Sequence, residues 1–134
     1  MGRGRVILLD TNILIDLGRY TLRTESTYGA SILSRAELEF GIRAAKTAEA
    51  AAERTARLNA LDDYFDWLAF DLPSTHAYGI VAAGARATGA NVRGKDALIA
   101  AQAYRHGASL MTTNLEDFRP FDHLVQIVSP TPRD

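Results

Sequence analysis

Val6-Ile-Leu-Leu-Asp10-Thr-Asn-Ile-Leu-Ile-Asp16-Leu17 sets a run of four apolar residues against an abrupt acid, after which apolar residues resume in a helix-forming stretch. A short apolar run flanked by polar turn residues reads as a buried strand. Thr11 or Asn12 is expected to cap a helix over Ile13 to Leu17. Strand, tight turn and helix in that order form the opening of an α/β unit, with an acid at the carboxyl end of the strand.

The same grammar continues outward. Tyr28 to Leu33 is a second β-prone run, followed by Ser34-Arg-Ala-Glu37 with the spacing of a capping box and a helix to about Ala45. Glu49 to Tyr64 is rich in Ala, Glu, Arg and Leu, which favour helix. Trp67 to Phe70 is expected to be a third strand, and Ser74 to cap a helix ending near Gly89. The loop Asn91-Val-Arg-Gly-Lys95 leads to Asp96 and a helix through about His106. Leu110 to Thr113 reads as a fourth strand, Asn114 to Asp117 as a helical turn, and Val125 to Val128 as a fifth strand. Ser129-Pro-Thr-Pro132 is expected to be a frayed tail. Short apolar strands alternating with helices predict an α/β sandwich whose parallel sheet is covered on both faces.

Composition bounds the class. The chain has 134 residues, 47% hydrophobic and 23% charged, as expected of one globular domain over 1–134, with its core at 6–128 and a tail at 129–134. No apolar run approaches the ~20 residues of a membrane helix, and the start lacks the apolar stretch of a secretory signal. There is no cysteine, hence no disulfide and no thiolate metal site, which fits a reducing cytoplasm. A net charge of −1 speaks against coating nucleic acid by bulk positive charge and leaves local phosphate contacts open.

Ligands of open α/β sheets sit beyond the carboxyl ends of the strands. Asp10 directly follows the first strand, Glu37 follows the second, Asp117 the fourth, and Asp96 opens a helix whose preceding loop can come from the same edge. Each has a plain alternative. Glu37 completes the apparent capping box, while Asp96 and Asp117 fall in first helical turns, where the dipole favours an acid. Asp10, pointing inward, is the hardest to explain in this way. Four unpaired carboxylates at one rim would repel one another, and a hard divalent cation such as Mg²⁺ relieves the repulsion.

These motifs also resemble a known family. Val6 to Leu17 is similar to the opening of the PIN-domain nucleases. Ser34-Arg-Ala-Glu37-Leu-Glu-Phe-Gly41 is similar to their second motif, Asp96-Ala-Leu-Ile-Ala-Ala101 to their third, and Leu110-Met-Thr-Thr-Asn114-Leu-Glu-Asp117-Phe118 to their fourth. Length and motif order resemble the VapC toxins of toxin–antitoxin pairs. The resemblance implies a three-layer α/β/α fold with a five-stranded, mainly parallel sheet. It makes Asp10, Glu37, Asp96 and Asp117 the catalytic, metal-holding acids. It further implies Mg²⁺- or Mn²⁺-dependent cleavage of RNA, with tRNA or rRNA loops as substrate, a cognate antitoxin and a homodimer.

Thr11, Asn12, Ser34, Thr113 and Asn114 are expected to stand beside the acids and orient water or phosphate. Asn114, three residues from Asp117, competes with it for the fourth position. Glu116 is expected to point elsewhere, and Asp16, six residues beyond Asp10, to stand behind the metal-holding acids or simply to belong to the helix. Arg93, Lys95 and Arg119 flank the motifs and are candidates for RNA phosphates. Attack by water on phosphorus predicts 5′-phosphate and 3′-hydroxyl ends. The three histidines show no ligand spacing, and His106 is expected to sit partly positive at a helix end. Two other readings stand beside this one. A metal-dependent phosphatase or phosphotransferase would want a second Asp where Asn12 stands. A non-catalytic partner-binding module would use the alanine-rich helices and Tyr64-Phe-Asp-Trp67.

Overall fold

The computed structural model describes residues 6–92 and 94–134. Its main sheet is five-stranded and wholly parallel, in the order β4 (Trp67–Leu68), β3 (Thr27–Ser31), β1 (Val6–Leu9), β5 (Ser109–Met111), β6 (Ile127–Val128). The helices are α1 (Thr11–Ile15), α2 (Ile32–Arg43), α3 (Ala48–Tyr64), α4 (Leu72–Ala87), α5 (Gly94–Arg105) and the single turn α6 (Leu115–Phe118).

The strand β1 shows why the fold has three layers. Successive side chains of a strand face opposite ways. Leu8 packs with Val81, Ala85, Ala97 and Ala100 of α4 and α5. Ile7 and Leu9 pack with Ile13, Leu38, Leu58 and Leu61 of α1, α2 and α3. An uninterrupted apolar strand therefore serves two cores, as a sheet covered on both faces requires. Arg35 of α2 grips Asp62 of α3 through two hydrogen bonds of 2.8 and 2.9 Å. That guanidinium holds the Asp62 carboxyl down at about 2. The buried amide of Gln102 in α5 donates to the carbonyls of Leu68 and Ala69, tying the short edge strand β4 to the layer beneath it.

Strand order also locates the crevice. From β1 the chain builds outward through β3 to β4, then returns across β1 to β5 and continues to β6 on the other side. Connections from the carboxyl ends of β1 and β5 thus leave in opposite directions, which opens a gap there.

Local boundaries differ from the sequence expectations for identifiable reasons. Asp10 itself caps α1, accepting from the Thr11 N–H at 2.8 Å, so neither Thr11 nor Asn12 is the cap. Ser31 caps α2, accepting from Leu33 N–H at 2.9 Å, because β3 ends there and Ile32-Leu33 belong to the helix. Ser34 is buried inside the first turn, and its spacing to Glu37 is not a capping box. Asp71, and not Ser74, caps α4, with Pro73 accommodated in the first turn where no N–H is needed. The expected tail is paired: β7 (Thr131–Pro132) runs antiparallel to β2 (Tyr20–Thr21), and Arg133 N–H donates to Arg19 C=O at 2.8 Å. Proline is tolerated in such an edge pair, where a missing donor breaks no inner ladder. Among the described residues no helix is long and apolar enough to cross a membrane.

Candidate active site

At the crevice Asp10, Glu37, Asp96 and Asp117 line one cleft of about 440 Å³, together with Thr11, Asn12, Lys95 and Asn114, and with Ile15 and Phe118 as apolar walls. The acids arrive on four elements: the end of β1, the body of α2, the first turn of α5, and α6. Asp10 and Asp96 are buried, at 7% and 6% exposure. A larger hollow of about 560 Å³ lies between α1, β2 and α3, but no carboxylate lines it.

Asp10 is held at both oxygens. Its Oδ1 accepts from Thr11 N–H, and its Oδ2 accepts from the Thr112 hydroxyl at 2.9 Å. Its backbone N–H extends the β1–β5 ladder onto Met111 C=O. Burial pushes its pKa up; the Thr11 N–H, the Thr112 hydroxyl and the Lys95 charge pull the other way, while Glu37 adds to the rise. Desolvation wins because an ionised carboxylate loses more water here than two donors replace.

Thr112 is the site residue that the sequence reading did not name. Fully buried just past β5, its oxygen also accepts from Asn114 N–H at 2.9 Å. The Asn114 amide in turn donates to Asp117 Oδ2 at 2.5 Å. A continuous chain of contacts thus runs from Asp10 through Thr112 and Asn114 to Asp117.

On the opposite wall the Thr11 hydroxyl reaches both Glu37 Oε1, at 2.5 Å, and Ser34 Oγ, at 2.8 Å. A carboxylate only accepts, so Thr11 donates to Glu37 and Ser34 donates to Thr11. Lys95 Nζ lies 2.7 Å from Glu37 Oε2. Its ammonium is therefore engaged with an acid of the cleft. The hydrogen bond to Glu37 raises the Lys95 pKa, so the ammonium persists across the neutral range.

The other expected residues divide. Asn12 lines the cleft and accepts a long 3.5 Å contact from Thr113 N–H; Thr113 itself is exposed and does not line it. Arg119 pairs with Glu116 at 2.8 Å, and neither lines the cleft. Asp16 ends α1, exposed and outside the lining. Arg93 lies outside the described residues. His106 follows α5 as expected, but burial and the neighbouring Arg105 lower its pKa, which works against the partly positive ring expected at the helix end.

The donor chemistry of this cleft, carboxylate oxygens with hydroxyl and amide oxygens beside them, is that of a site for a hard cation. As placed, no three of His, Cys, Asp or Glu among the described residues stand close enough together to hold one ion. Glu37 is tied to Lys95 and Thr11, and Asp117 to Asn114.

The PIN domain family model matches residues 7–124. No curated protein matches the sequence. Among solved structures, a chain of the VapBC-5 toxin–antitoxin structure from Mycobacterium tuberculosis is similar at TM-score 0.78 and 25% identity, over 94% of this chain and 98% of that one. A chain of FitAcB from Neisseria gonorrhoeae gives 0.77 and 25%, over 90% and 95%. A chain of VapBC2 from Rickettsia felis, bound to a DNA fragment from its promoter, gives 0.77 and 22%, over 93% and 98%. The chain belongs to the PIN-domain family, with the fold seen in VapBC-type toxin–antitoxin members.

Proposed function

We propose that this PIN domain is a Mg²⁺- or Mn²⁺-dependent endoribonuclease, the toxin of a toxin–antitoxin pair. In this reading residues 1–134 form one nuclease domain that works in the cytoplasm as a homodimer and is held in check by a cognate antitoxin. Its substrates are structured RNAs such as tRNA or rRNA loops, where splayed bases and loop shape give selectivity. The observation that carries the reading is the meeting of four carboxylates, from four separated segments, in one cleft at the sheet's topological switch point.

Asp10, Glu37, Asp96 and Asp117, of which no three stand close enough as placed, would draw in around the divalent ion, and the ion when bound would neutralise phosphate charge and lower the pKa of water. The chain's own contribution is placement. Thr11 and Thr112 fix both oxygens of Asp10, so its carboxylate cannot rotate away from the cleft. Thr11 and Ser34 orient Glu37, and Asn114 orients Asp117, leaving these less buried acids at the mouth, where one can accept a proton from attacking water. Water attacking in line at phosphorus breaks the bond to the 3′ oxygen, leaving a 3′-hydroxyl and a 5′-phosphate. Support for the toxin reading comes from the family and from structural neighbours in toxin–antitoxin complexes. The phosphotransferase alternative lacks its second acid, since Asn12 occupies that place in the cleft.

The test is cleavage of total cellular RNA by antitoxin-free protein with Mg²⁺, mapped by sequencing 5′-phosphate ends, beside Asp10→Asn. Discrete metal-dependent cuts that vanish in the variant are expected. Ends bearing 2′,3′-cyclic phosphate would overturn the mechanism. Absence of any cut by folded, partner-free protein would favour a non-catalytic binding module.

A further inference from the structure

The cleft already contains a cation. Lys95 Nζ sits 2.7 Å from Glu37 Oε2, and both side chains retain solvent access, at 58% and 30% exposure. Lys95 precedes Asp96 in the first turn of α5, so the helix that delivers a buried acid also delivers the positive charge opposing it. Cation choice in this chain sharpens the point. Of fifteen Lys and Arg residues, only Lys46 and Lys95 are lysine. Arginine would clamp Glu37 with a bidentate fork, whereas lysine offers a compact, mobile point charge that can leave its partner.

We propose that Lys95 is a resident counter-cation of the acidic cleft, neutralising Glu37 until a divalent ion displaces it, and thereby setting the protein's metal affinity. The inference rests on the metal-dependent reading above and adds a positioning role for a residue expected to hold RNA. With Glu37 engaged by an ammonium on one oxygen and Thr11 on the other, a divalent ion that uses this carboxylate meets a positive charge already 2.7 Å from Oε2. The two cations repel, so binding of the ion favours departure of the ammonium. Breaking a partly exposed ion pair is a modest barrier, so the device tunes affinity and does not block the site.

The experiment is titration of the full chain with Mn²⁺ alone, without RNA, following free Mn²⁺ by electron paramagnetic resonance. Lys95→Gln removes the competing charge at an exposed position and is expected to bind Mn²⁺ about tenfold more tightly. Lys95→Arg, which keeps a cation on Glu37, is expected to bind no more tightly than the wild type. Lys46→Gln, an equal change of net charge in the α2–α3 connection, is expected to leave the affinity unchanged. Wild-type binding with no gain in Lys95→Gln overturns the role of Lys95 while leaving the metal reading standing. An equal gain in Lys46→Gln also overturns it, by assigning the effect to net charge. No Mn²⁺ binding by wild type or Lys95→Gln removes both the competitor and the metal-dependent reading.

A second measurement reads the displacement itself. With ¹³C placed only in lysine, the chain gives two sets of ε-carbon signals, from Lys46 and Lys95. Addition of Mg²⁺ is expected to move the Lys95 signal and spare that of Lys46. A Lys95 signal unmoved at saturating Mg²⁺ would overturn the proposal.

Discussion

Replacing Thr112 by valine keeps the shape of a fully buried side chain and removes one oxygen that serves two partners. Asp10 Oδ2 loses the hydroxyl donor at 2.9 Å, and Asn114 N–H loses its acceptor at 2.9 Å. A hydrogen bond to a charged group contributes roughly 1.5–3 kcal/mol, and a neutral one at a partly exposed amide about 0.5–1 kcal/mol. The added methyl, if well packed, returns about 0.8 kcal/mol. The net expectation for Thr112→Val is a loss of about 2 kcal/mol. That is a large share of the ~5–15 kcal/mol that stabilises a domain of this size. Thr112→Ser keeps the hydroxyl and should cost only about 1 kcal/mol, for one methyl group. Urea unfolding at pH 7 measures both, with an unchanged m-value showing that the same surface is exposed. The decisive comparison repeats Thr112→Val in an Asp10→Ala background, where the charged acceptor is gone. There the cost should fall by about 1.5 kcal/mol, a coupling that double-mutant cycles resolve. If Thr112→Val costs no more than Thr112→Ser, or if the coupling is below about 0.5 kcal/mol, Thr112 does not hold Asp10 in the way described.

Two further expectations concern stability. In a carboxyl group whose folded pKa is raised, as for Asp10, the folded state binds the proton more readily, so stability falls as pH rises from 3.8 through the folded value. Asp10→Asn is therefore expected to be more stable than the wild type at pH 7, with the difference shrinking toward pH 3.8 in parallel urea titrations. Asp62 and Asp71 act with the opposite sign, their pKa values lowered to about 2, so the stability they contribute above pH 3.8 is lost as pH falls toward 2. In α4, Gly79→Ala meets nothing within 4 Å and should stabilise by up to ~1 kcal/mol through helix propensity. Gly84→Ala, whose Cβ would stand 2.8 Å from Leu124 Cδ1 and 3.1 Å from His123 Nε2, should instead destabilise by about 1 kcal/mol, the clash outweighing the propensity gain. Thermal unfolding of the two variants side by side checks the opposite signs.

How far the sequence could be read depended on the range of the interaction. The apolar run stopping dead at Asp10 marked the end of a central strand, because only a buried strand needs both faces apolar, and the Ala-, Glu-, Arg- and Leu-rich Glu49–Tyr64 stretch marked a helix now seen over Ala48–Tyr64. Caps were harder. Ser31 and Asp71, not Ser34 and Ser74, start their helices, and the choice follows from where β3 leaves the ladder and from Pro73 being admissible in a first turn. Thr112 escaped notice because threonine favours strands, and Leu-Met-Thr-Thr reads as uninterrupted strand until the pairing of β5 shows that it stops at Met111. The contact between Lys95 and Glu37 spans 58 residues, and no spacing rule reaches that far. The β2–β7 pair was hidden for the same reason, with prolines that in isolation signal a tail.

Asp10 shows why the structural and chemical readings of an acid need not exclude each other. As an N-cap it uses Oδ1, and a neutral side chain would do that work as well; Ser31 does so for α2. What a neutral cap does not supply is charge at a buried oxygen. At Asp10 the burial that raises the pKa also opposes ionisation, and the chain answers with the hydroxyl of Thr112, just past β5 and 102 residues away, and with the Lys95 ammonium nearby. A fold that needed only a cap would have no use for those two additions. Their presence separates the requirement for helix initiation from the requirement for a negative charge in the cleft. Asp10→Asn divides the two requirements experimentally: the amide still accepts from Thr11 N–H, so the helix keeps its cap, while the charge that the proposed chemistry needs is gone. A variant that folds more stably yet cuts nothing is the outcome this argument requires; one that loses stability as well would mean that the ionised carboxylate is held for the fold itself.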